Sequence, residues 1–240
     1  MLENPDSSPL AVWTLLTRLG EAQILVPLLL AAMLWLWLGA GQGRLVLRWL
    51  VCLALAAGLT ALSKVAFMGW GHGSARWDFT GFSGHAMFAA ACFPLLAWVA
   101  LLGRDKLMQK LAVIASFVLA ALVAYSRLEV HAHSASESAS GFALGALASV
   151  MALRGAPALR LALPLWLPAV LAAGLLVLPL SAPRSRSHDL MVELSLQLSG
   201  RPQVYTRQDL HRRRLPPRLS AAPHRLAGTT APAPSRPLPR

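Results

Sequence analysis

The sequence predicts an all-α membrane protein, a polytopic bundle of about six transmembrane helices, and three observations support this class. The 240-residue chain has a mean hydropathy of +0.54, and 56% of its residues are apolar. Charged residues make up only 13%, whereas an ordinary soluble domain has about 25%. The apolar residues also form runs close to the roughly 17–25 residues that a helix needs to cross a bilayer.

Six apolar runs define the predicted spans. In chain order they cover residues 23–39, 45–68, 85–102, 107–125, 134–153 and 161–180. The fifth is rich in serine, alanine and glycine, and its Gly141 and Gly145 predict close packing against another helix. The sixth contains Pro164, Pro168 and Pro179, so we expect it to be kinked or to span only in part.

These runs divide the chain into three parts. Residues 1–22 are predicted to form an amphipathic interfacial segment, residues 23–183 the six-helix membrane domain, and residues 184–240 a basic C-terminal tail. Within the tail we expect one short helix over SHDLMVELSLQLSG, with Gly200 just past its end. From Pro216 onward the composition predicts disorder.

The net charge of +12 is concentrated in the tail. Residues 184–240 hold 11 of the 22 basic residues and three of the ten acidic ones. A basic tail on a membrane protein indicates contact with lipid headgroups. Apart from Tyr205 the tail lacks interleaved aromatic residues, and it carries no recognisable nucleic-acid-binding module. Membrane lipids, and not nucleic acid, are therefore the expected partners.

Basic residues also favour one orientation in the membrane. In a six-span chain the loops at 40–44, 103–106 and 154–160 share one side, and these loops and the adjoining helix ends are rich in arginine and lysine. The positive-inside rule places that side in the cytoplasm. The polar loops at 69–84 and 126–133 then face the periplasmic or outer side of an inner (plasma) membrane.

The first candidate functional residues lie near the loop at 69–84. Lys64, near the end of the second span, is either a lysine that extends its charge toward the interface or part of a site. In GFSGHA, Ser83 and Gly84 precede His85, which opens the third span. The free N–H groups of a helix start bind anions. Ser83 is therefore either the cap of this helix or a ligand to a phosphate oxygen.

The stretch SRLEVHAHSASE, residues 126–137, holds the other candidates. Arg127 ends the fourth span, and His133 and Glu137 are four residues apart. If a helix begins near His133, this spacing places both on one face. A carboxylate beside an imidazole fixes its tautomer and raises its basicity, as a nucleophile or base requires. The alternative is a polar cap at the start of the fifth span.

Together these residues indicate phosphoryl transfer. Cations and a helix start suit a tetrahedral anion, and two histidines suit attack on phosphorus and protonation of the leaving group. A reaction through a phosphohistidine uses all of them. The sequence offers no carboxylate cluster for a metal, and we expect no cofactor.

The chain resembles the type 2 phosphatidic acid phosphatases, which are related to the vanadium haloperoxidases. In outline, that family carries Lys-x6-Arg-Pro, then Pro-Ser-Gly-His, then Ser-Arg-x5-His-x3-Asp. Here the third motif reads SRLEVHAHSASE and the second reads FSGH, residues 82–85. The first is reduced to Lys64, with Gly71 at the arginine position. The resemblance covers the chain from about Lys64 to Gly145.

The resemblance implies a role for each candidate residue. His133 would be the nucleophile, Glu137 its orienting partner, and His85 the acid that protonates the leaving oxygen and then the base that activates water. The implied phosphate ligands are Lys64, Arg127, Ser83 and the amide of Gly84. The implied activity is hydrolysis of a lipid phosphate monoester or diphosphate without a metal.

The sequence departs from the family pattern in three places. Glu137 stands where the family has aspartate, and Phe82 stands where it has proline. The missing arginine at Gly71 removes a bidentate phosphate clamp. Arg76 and His72, in the same loop, are its candidate replacements.

Other functions remain open at this stage. A lipid phosphotransferase would use the same histidines, a membrane binding or transport protein could carry a degenerate site, and a purely structural bundle would leave these residues as a coincidence. Because every candidate precedes Gly200, we expect removal of the chain after Gly200 to spare catalysis.

Overall fold

The computed structural model describes residues 9–157, 166–181 and 186–212. Within these ranges the chain forms nine α-helices, and an antiparallel bridge pairs Ser74 with Phe79. The helices are α1 (Pro9–Arg18), α2 (Ala22–Leu38), α3 (Gly43–Trp70), α4 (Gly84–Ala100), α5 (Lys106–Glu129), α6 (Ala135–Leu153), α7 (Trp166–Ser181), α8 (Ser187–Ser199) and α9 (Arg207–Arg212).

Four stretches of helix in the described chain are long and apolar enough to cross a membrane. They are Leu10–Leu38, Gly43–Trp70, Lys106–Glu129 and Ala135–Leu153. α4 and the described part of the sixth predicted run are apolar but shorter, and the rest of that run lies outside the described residues. The predicted class, an all-α membrane helix bundle, is confirmed at this level.

The outer faces of α3 and α5 are apolar. Leu55 and Leu62 of α3 are 69% and 67% exposed, and Val118 of α5 is 58% exposed. Soluble proteins rarely expose contiguous apolar surface of this kind. On helices long enough to cross a bilayer, such a face is the one that contacts lipid.

α4 lies at the centre of the bundle, where it contacts α2, α3, α5, α6 and α7. Most of its side chains are buried. On α3, the buried Trp49 packs edge-to-face on Trp98 of α4, with ring centroids 5.7 Å apart, and donates from Nε1 to the carbonyl of Ala152 at 3.0 Å. One aromatic side chain thus joins α3, α4 and α6.

Two glycines bring α6 close to α4. A β-carbon at Gly141 would stand 2.5 Å from the carbonyl oxygen of Ser83, and one at Gly145 would overlap the carbonyl of Met87. Only glycine allows the two backbones to approach this closely. The close packing predicted for Gly141 and Gly145 is confirmed, and it holds the start of α6 against the start of α4.

α1 packs along the end of α5. Trp13 contacts Tyr125 edge-to-face, with ring centroids 5.5 Å apart, and the hydroxyls of Thr17 and Ser126 are hydrogen-bonded at 2.9 Å. In the turn after α1, a β-carbon at Gly20 would stand 2.8 Å from the backbone oxygen of His85. The segment that precedes α2 therefore reaches the start of α4.

The C-terminal segment, residues 186–212, lies across the end of α3. The helix predicted there is confirmed as α8, and Gly200 ends it in the left-handed conformation, with φ of 66°. α8 packs on Gly69, where a β-carbon would stand 3.3 Å from Cβ of Ser199. Tyr205 then donates its backbone N–H to the carbonyl of Met68 at 2.8 Å. The disorder predicted from Pro216 onward lies outside the described residues.

Candidate functional site

A cavity of about 700 Å³ lies where α3 and α5 end and α4 and α6 begin. It is lined by residues of α3, α4 and α5, of the α3–α4 and α5–α6 connections, of the α1–α2 turn and the start of α2, and of the C-terminal segment. Five sequence candidates are brought together on its wall. They are Lys64, Gly84, His85, Arg127 and His133.

The loop between α3 and α4 folds back over Lys64. α3 ends at Gly71, which adopts the left-handed conformation with φ of 73°. Further along, Gly81 has φ of 142°, and a β-carbon on it would stand 3.2 Å from Cα of Lys64. Glycine adopts the left-handed turn at Gly71 without strain, and at Gly81 it permits the close approach to Lys64.

His133 and Glu137 form a hydrogen-bonded pair, with Nδ1 of His133 2.7 Å from Oε2 of Glu137. The geometry differs from that expected, because α6 begins at Ala135 and His133 lies one residue before its N-cap, Ser134. Ser134 and Glu137 form a capping box, in which the carboxylate accepts the backbone N–H of Ser134 at 3.2 Å. Glu137 therefore caps the helix and holds the imidazole at the same time.

Glu137 is fully buried and receives further donors from distant parts of the chain. Oε1 accepts both the backbone N–H and the hydroxyl of Thr80, the former at 2.7 Å. Oε2 accepts Nη2 of Arg207 at 2.7 Å. A buried carboxylate is tolerated only when it is paired and hydrogen-bonded, and these donors meet that requirement.

The surroundings of His133 favour its neutral form. Burial, the largest influence, lowers the pKa of His133 below its usual value of 6.5; the hydrogen bond to Glu137 raises it, and the charges of Lys64 and Arg127 lower it again. A carboxylate partner accepts a hydrogen bond from the protonated Nδ1 and thereby leaves the free lone pair on Nε2. His133 is thus a neutral imidazole of defined tautomer on the cavity wall.

The start of α4 supplies the second imidazole. His85 and Gly84 line the cavity in the first turn of this helix, where backbone N–H groups lack helical partners. Ser83 is the N-cap by position, yet its hydroxyl makes no capping bond. Its Oγ is buried and has no hydrogen-bond partner among the described residues, and Ser83 is not among the residues that line the cavity.

Lys64 and Arg127 both line the cavity and provide positive charge there. Their charges act on both His85 and His133. Arg127 donates from Nη1 to the hydroxyl of Thr17 at 3.1 Å. A site with two cations and a helix start is suited to a tetrahedral anion.

The two residues predicted as replacements for the missing arginine lie elsewhere. His72 and Arg76 are exposed and are not among the residues that line the cavity. Arg76 stacks on the ring of Trp77, with its guanidinium carbon 5.6 Å from the ring centroid. The structure does not bring either side chain to the site.

Sequence reasoning missed Thr80 and Arg207. Thr80 lies in the polar loop that the sequence singled out, but a lone threonine there gave no specific signal. Arg207 is one of many basic residues in the tail, and only the fold brings it to Glu137. Val204, Tyr205, Thr206 and Arg207 all line the cavity. The expectation that removal of the chain after Gly200 spares catalysis stays a prediction, but residues after Gly200 are part of the cavity wall.

Apolar side chains complete the cavity wall. Phe67 and Met68 of α3, Phe88 of α4, and Met191 and Val192 of α8 all line it. The cavity therefore combines a charged region with an apolar one, which is the chemistry needed to hold an amphiphile.

Comparison with known proteins gives one relative. An "Uncharacterized 22.5 kDa protein in cps region" from Klebsiella pneumoniae is 39% identical over 141 residues, which are 59% of this chain and 68% of that protein. No family model matches the chain, and no solved structure matches it.

Proposed function

The chain belongs to the same family as the Klebsiella pneumoniae cps-region protein, and from its site we propose that it is an integral membrane phosphatase that hydrolyses a lipid phosphate monoester or diphosphate. One observation carries the proposal. Two imidazoles, one of them bonded to a buried carboxylate, line the same cavity as Lys64 and Arg127. The resemblance of the motifs to the type 2 phosphatidic acid phosphatases agrees with this reading.

In the first step, Nε2 of His133 attacks phosphorus and the bond from phosphorus to the leaving oxygen breaks. Glu137 stabilises the positive charge that develops on the imidazole. His85 gives a proton to the leaving oxygen, and the negative charge of the bound phosphoryl group favours the protonated form of its ring. The products of this step are a phosphohistidine and the dephosphorylated alcohol, or the lipid monophosphate if the substrate is a diphosphate.

In the second step, His85 accepts a proton from water, and the resulting nucleophile attacks the phosphohistidine. The bond from phosphorus to Nε2 breaks, inorganic phosphate leaves, and both histidines return to their initial state. Lys64, Arg127 and the first N–H groups of α4 stabilise the negative charge on the phosphoryl oxygens in both transition states. In this proposal those groups supply the charge that a metal would supply elsewhere.

Ser83 is proposed as a further ligand to the phosphoryl group. Its buried hydroxyl has no hydrogen-bond partner among the described residues, and an unsatisfied buried polar group costs about 1–3 kcal/mol. A phosphoryl oxygen would provide the missing partner. This contact would require the substrate to reach past Gly84 toward the start of α4.

The apolar wall and the setting of the cavity support a lipid substrate. A lipid chain can remain against apolar side chains and the surrounding bilayer while its headgroup meets the cations, because the cavity is at the end of the helices and not at their middle. A water-soluble phosphate ester would make no use of these apolar groups.

The proposed topology has six crossings, made by α2 to α7. Because α2 begins beside the cavity and α3 ends there, successive helices alternate in direction, and the chain returns to the cavity end at α8. The opposite end carries Arg44, Arg104, Lys106 and Arg154, which the positive-inside rule places in the cytoplasm. The cavity then faces the outer side of the plasma membrane.

The test is release of inorganic phosphate by the purified protein in detergent, with EDTA present and with phosphatidate, phosphatidylglycerol phosphate and undecaprenyl diphosphate as substrates. Wild type should release phosphate from at least one of them, and His133→Ala should not. The matched control is His131→Asn, because His131 is exposed, lies two residues away and adopts a φ of 53° that asparagine tolerates. Equal release by wild type and His133→Ala, or none from any lipid, would reject the proposal.

A further inference from the structure

The C-terminal segment, residues 186–212, is docked over the cavity by several independent contacts. α8 packs on Gly69, the backbone of Tyr205 bonds to Met68, and Leu210 is buried. His211 bonds through Nε2 to Asp78 at 2.8 Å. Several of its residues form part of the cavity wall. The segment is therefore placed to act on the reaction.

Within this segment, Arg207 joins two acidic residues that lie far from it in the sequence. Its Nη1 forms an ion pair with the carboxylate of Asp78, in the loop between α3 and α4. Its Nη2 bonds to Oε2 of Glu137 at 2.7 Å, the same oxygen that accepts Nδ1 of His133. One guanidinium thus connects the C-terminal segment, the loop and the carboxylate of the proposed nucleophile.

The charge of Arg207 suits the task of Glu137. The described donors to this carboxylate are Thr80, His133, the backbone of Ser134, and Arg207. Of these, Arg207 is the one that is always a cation. A buried carboxylate without this counter-charge would favour a proton on His133, and an imidazolium cannot attack phosphorus. With Arg207 in place, Glu137 can orient His133 and leave it neutral.

The position of Arg207 also bears on the arginine that is missing from the first motif. Gly71 ends α3 in the left-handed conformation, which residues with a β-carbon rarely adopt. A side chain at that position would therefore be strained. Arg207 brings a guanidinium to the same cavity from the other end of the sequence, beside Lys64 and Arg127.

We propose that Arg207 is a positioning residue for the phosphohistidine reaction, which fixes Glu137 against His133 and closes the C-terminal segment over the cavity. This inference rests on the proposed phosphatase function. The C-terminal segment would then take part in catalysis, and the guanidinium of Arg207 would be its essential contribution.

The experiment compares Arg207→Ala and Arg207→Lys with two controls. Arg212→Ala removes the same charge from an exposed position of the same helix, α9. Asp78→Asn weakens the ion pair between the C-terminal segment and the α3–α4 loop but leaves the hydrogen bond from Arg207 to Glu137. Asparagine tolerates the φ of 48° at that position. For each variant, kcat and KM on the lipid phosphate and the thermal midpoint are measured in detergent, with and without added guanidinium.

Arg207→Ala is expected to lower kcat by about 10²-fold with a smaller change in KM, because a misplaced catalytic group costs rate more than binding. Guanidinium should restore part of the rate, and Arg207→Lys should retain part of it. Arg212→Ala should stay within twofold of wild type. Two results would show that Arg207 has only a structural role and would overturn the inference. The first is a loss of kcat that guanidinium does not restore and that Asp78→Asn equals. The second is a lower thermal midpoint with unchanged kcat.

A second readout does not depend on turnover. Diethylpyrocarbonate modifies neutral imidazoles, and mass spectrometry follows the rate at His133. Arg207→Ala should slow this reaction at fixed pH, and Arg212→Ala should not. If wild type releases no phosphate, the proposed function fails. The rate of modification still decides whether Arg207 keeps His133 neutral. An equal rate in wild type and Arg207→Ala would show that it does not.

Discussion

Nδ1 of His133 lies 2.7 Å from Oε2 of Glu137, and the same carboxylate caps α6 through the backbone of Ser134. Glu137 therefore forms both the helix cap and the hydrogen-bonded pair with His133, the two arrangements that the sequence left open. The cap fixes the carboxylate relative to the helix, and the carboxylate fixes the imidazole. In this way a local helix signal positions the group that we propose as the nucleophile.

The pH dependence of kcat/KM should show an acidic limb below 6.5. The charged and titratable groups that face His133 are Lys64, His85, Arg127 and Glu137. Burial, first, and the charges of Lys64 and Arg127 lower the pKa of His133 from 6.5 by more than Glu137 raises it, and the nucleophile must be neutral. Activity should therefore persist as pH falls to 6.5 and decline only at lower pH. An acidic limb above 6.5 would contradict the assignment of His133 as a buried nucleophile.

Glu137→Gln should lower kcat by about 10²- to 10⁴-fold, because an amide stabilises a developing imidazolium less well than a carboxylate does. Any residual activity should have its acidic limb at lower pH than wild type, since the hydrogen bond to Glu137 raises the pKa of His133. Glu129→Gln, a change of the same kind at the end of α5, should leave kcat nearly unchanged. Steady-state kinetics over a range of pH checks both variants.

Glu137→Asp tests whether this chain has adapted to its longer side chain. Aspartate is the residue of the family that the motifs resemble, but here the carboxylate must reach Thr80, His133 and Arg207 at once. A side chain shorter by one methylene cannot keep all three contacts. We expect a loss in kcat of at least about tenfold, and wild-type kcat in this variant would show that the contacts to Thr80 and Arg207 do not matter.

Truncation separates the part of the tail that lines the cavity from the part that follows it. A chain that ends at Gly200 lacks Val204, Tyr205, Thr206 and Arg207, which line the cavity, and it should lose turnover while remaining folded. A chain that ends at Arg212 keeps all these residues and should retain it. Phosphate release and the thermal midpoint are measured for both. Equal activity in the two would show that residues 201–212 are dispensable for catalysis, as the sequence suggested.

Gly145→Ala should destabilise the protein by about 1–3 kcal/mol, because the added β-carbon overlaps the carbonyl of Met87 and forces α6 away from α4. Gly58→Ala is the matched control, since a β-carbon at Gly58 meets nothing within 4 Å. Replacing glycine with alanine in a helix interior favours the helix by about 0.8–1.0 kcal/mol, so this control should be neutral or stabilising. Thermal unfolding in detergent measures both changes.

Hydropathy predicted the bundle well, because apolar runs mark the parts of helices that contact lipid or the core. It was less informative about helix ends. The fourth predicted span stops at residue 125, whereas α5 continues to Glu129. The backbone hydrogen bonds of α5 continue through Ser126, Arg127 and Glu129, whose polar side chains give no apolar signal.

The site could be predicted where its residues stand in recognisable motifs or close together in sequence. His133 and Glu137 are four residues apart, and their hydrogen bond follows from the local spacing. Arg207 is 70 residues from Glu137, and its contact depends on how α8 docks on α3. No local pattern contains that information, so one basic residue of the tail could not be distinguished from the others.

The most direct test of the central claim is to trap the intermediate. Wild-type protein is mixed with a lipid phosphate labelled in the transferred phosphoryl group, quenched in base, digested and mapped by mass spectrometry. We expect a base-stable, acid-labile phosphoryl group on His133 that is absent in His133→Ala and that, once formed, decays more slowly in His85→Ala, where activation of water is lost. Release of labelled phosphate with no label on His133 in either wild type or His85→Ala would contradict it.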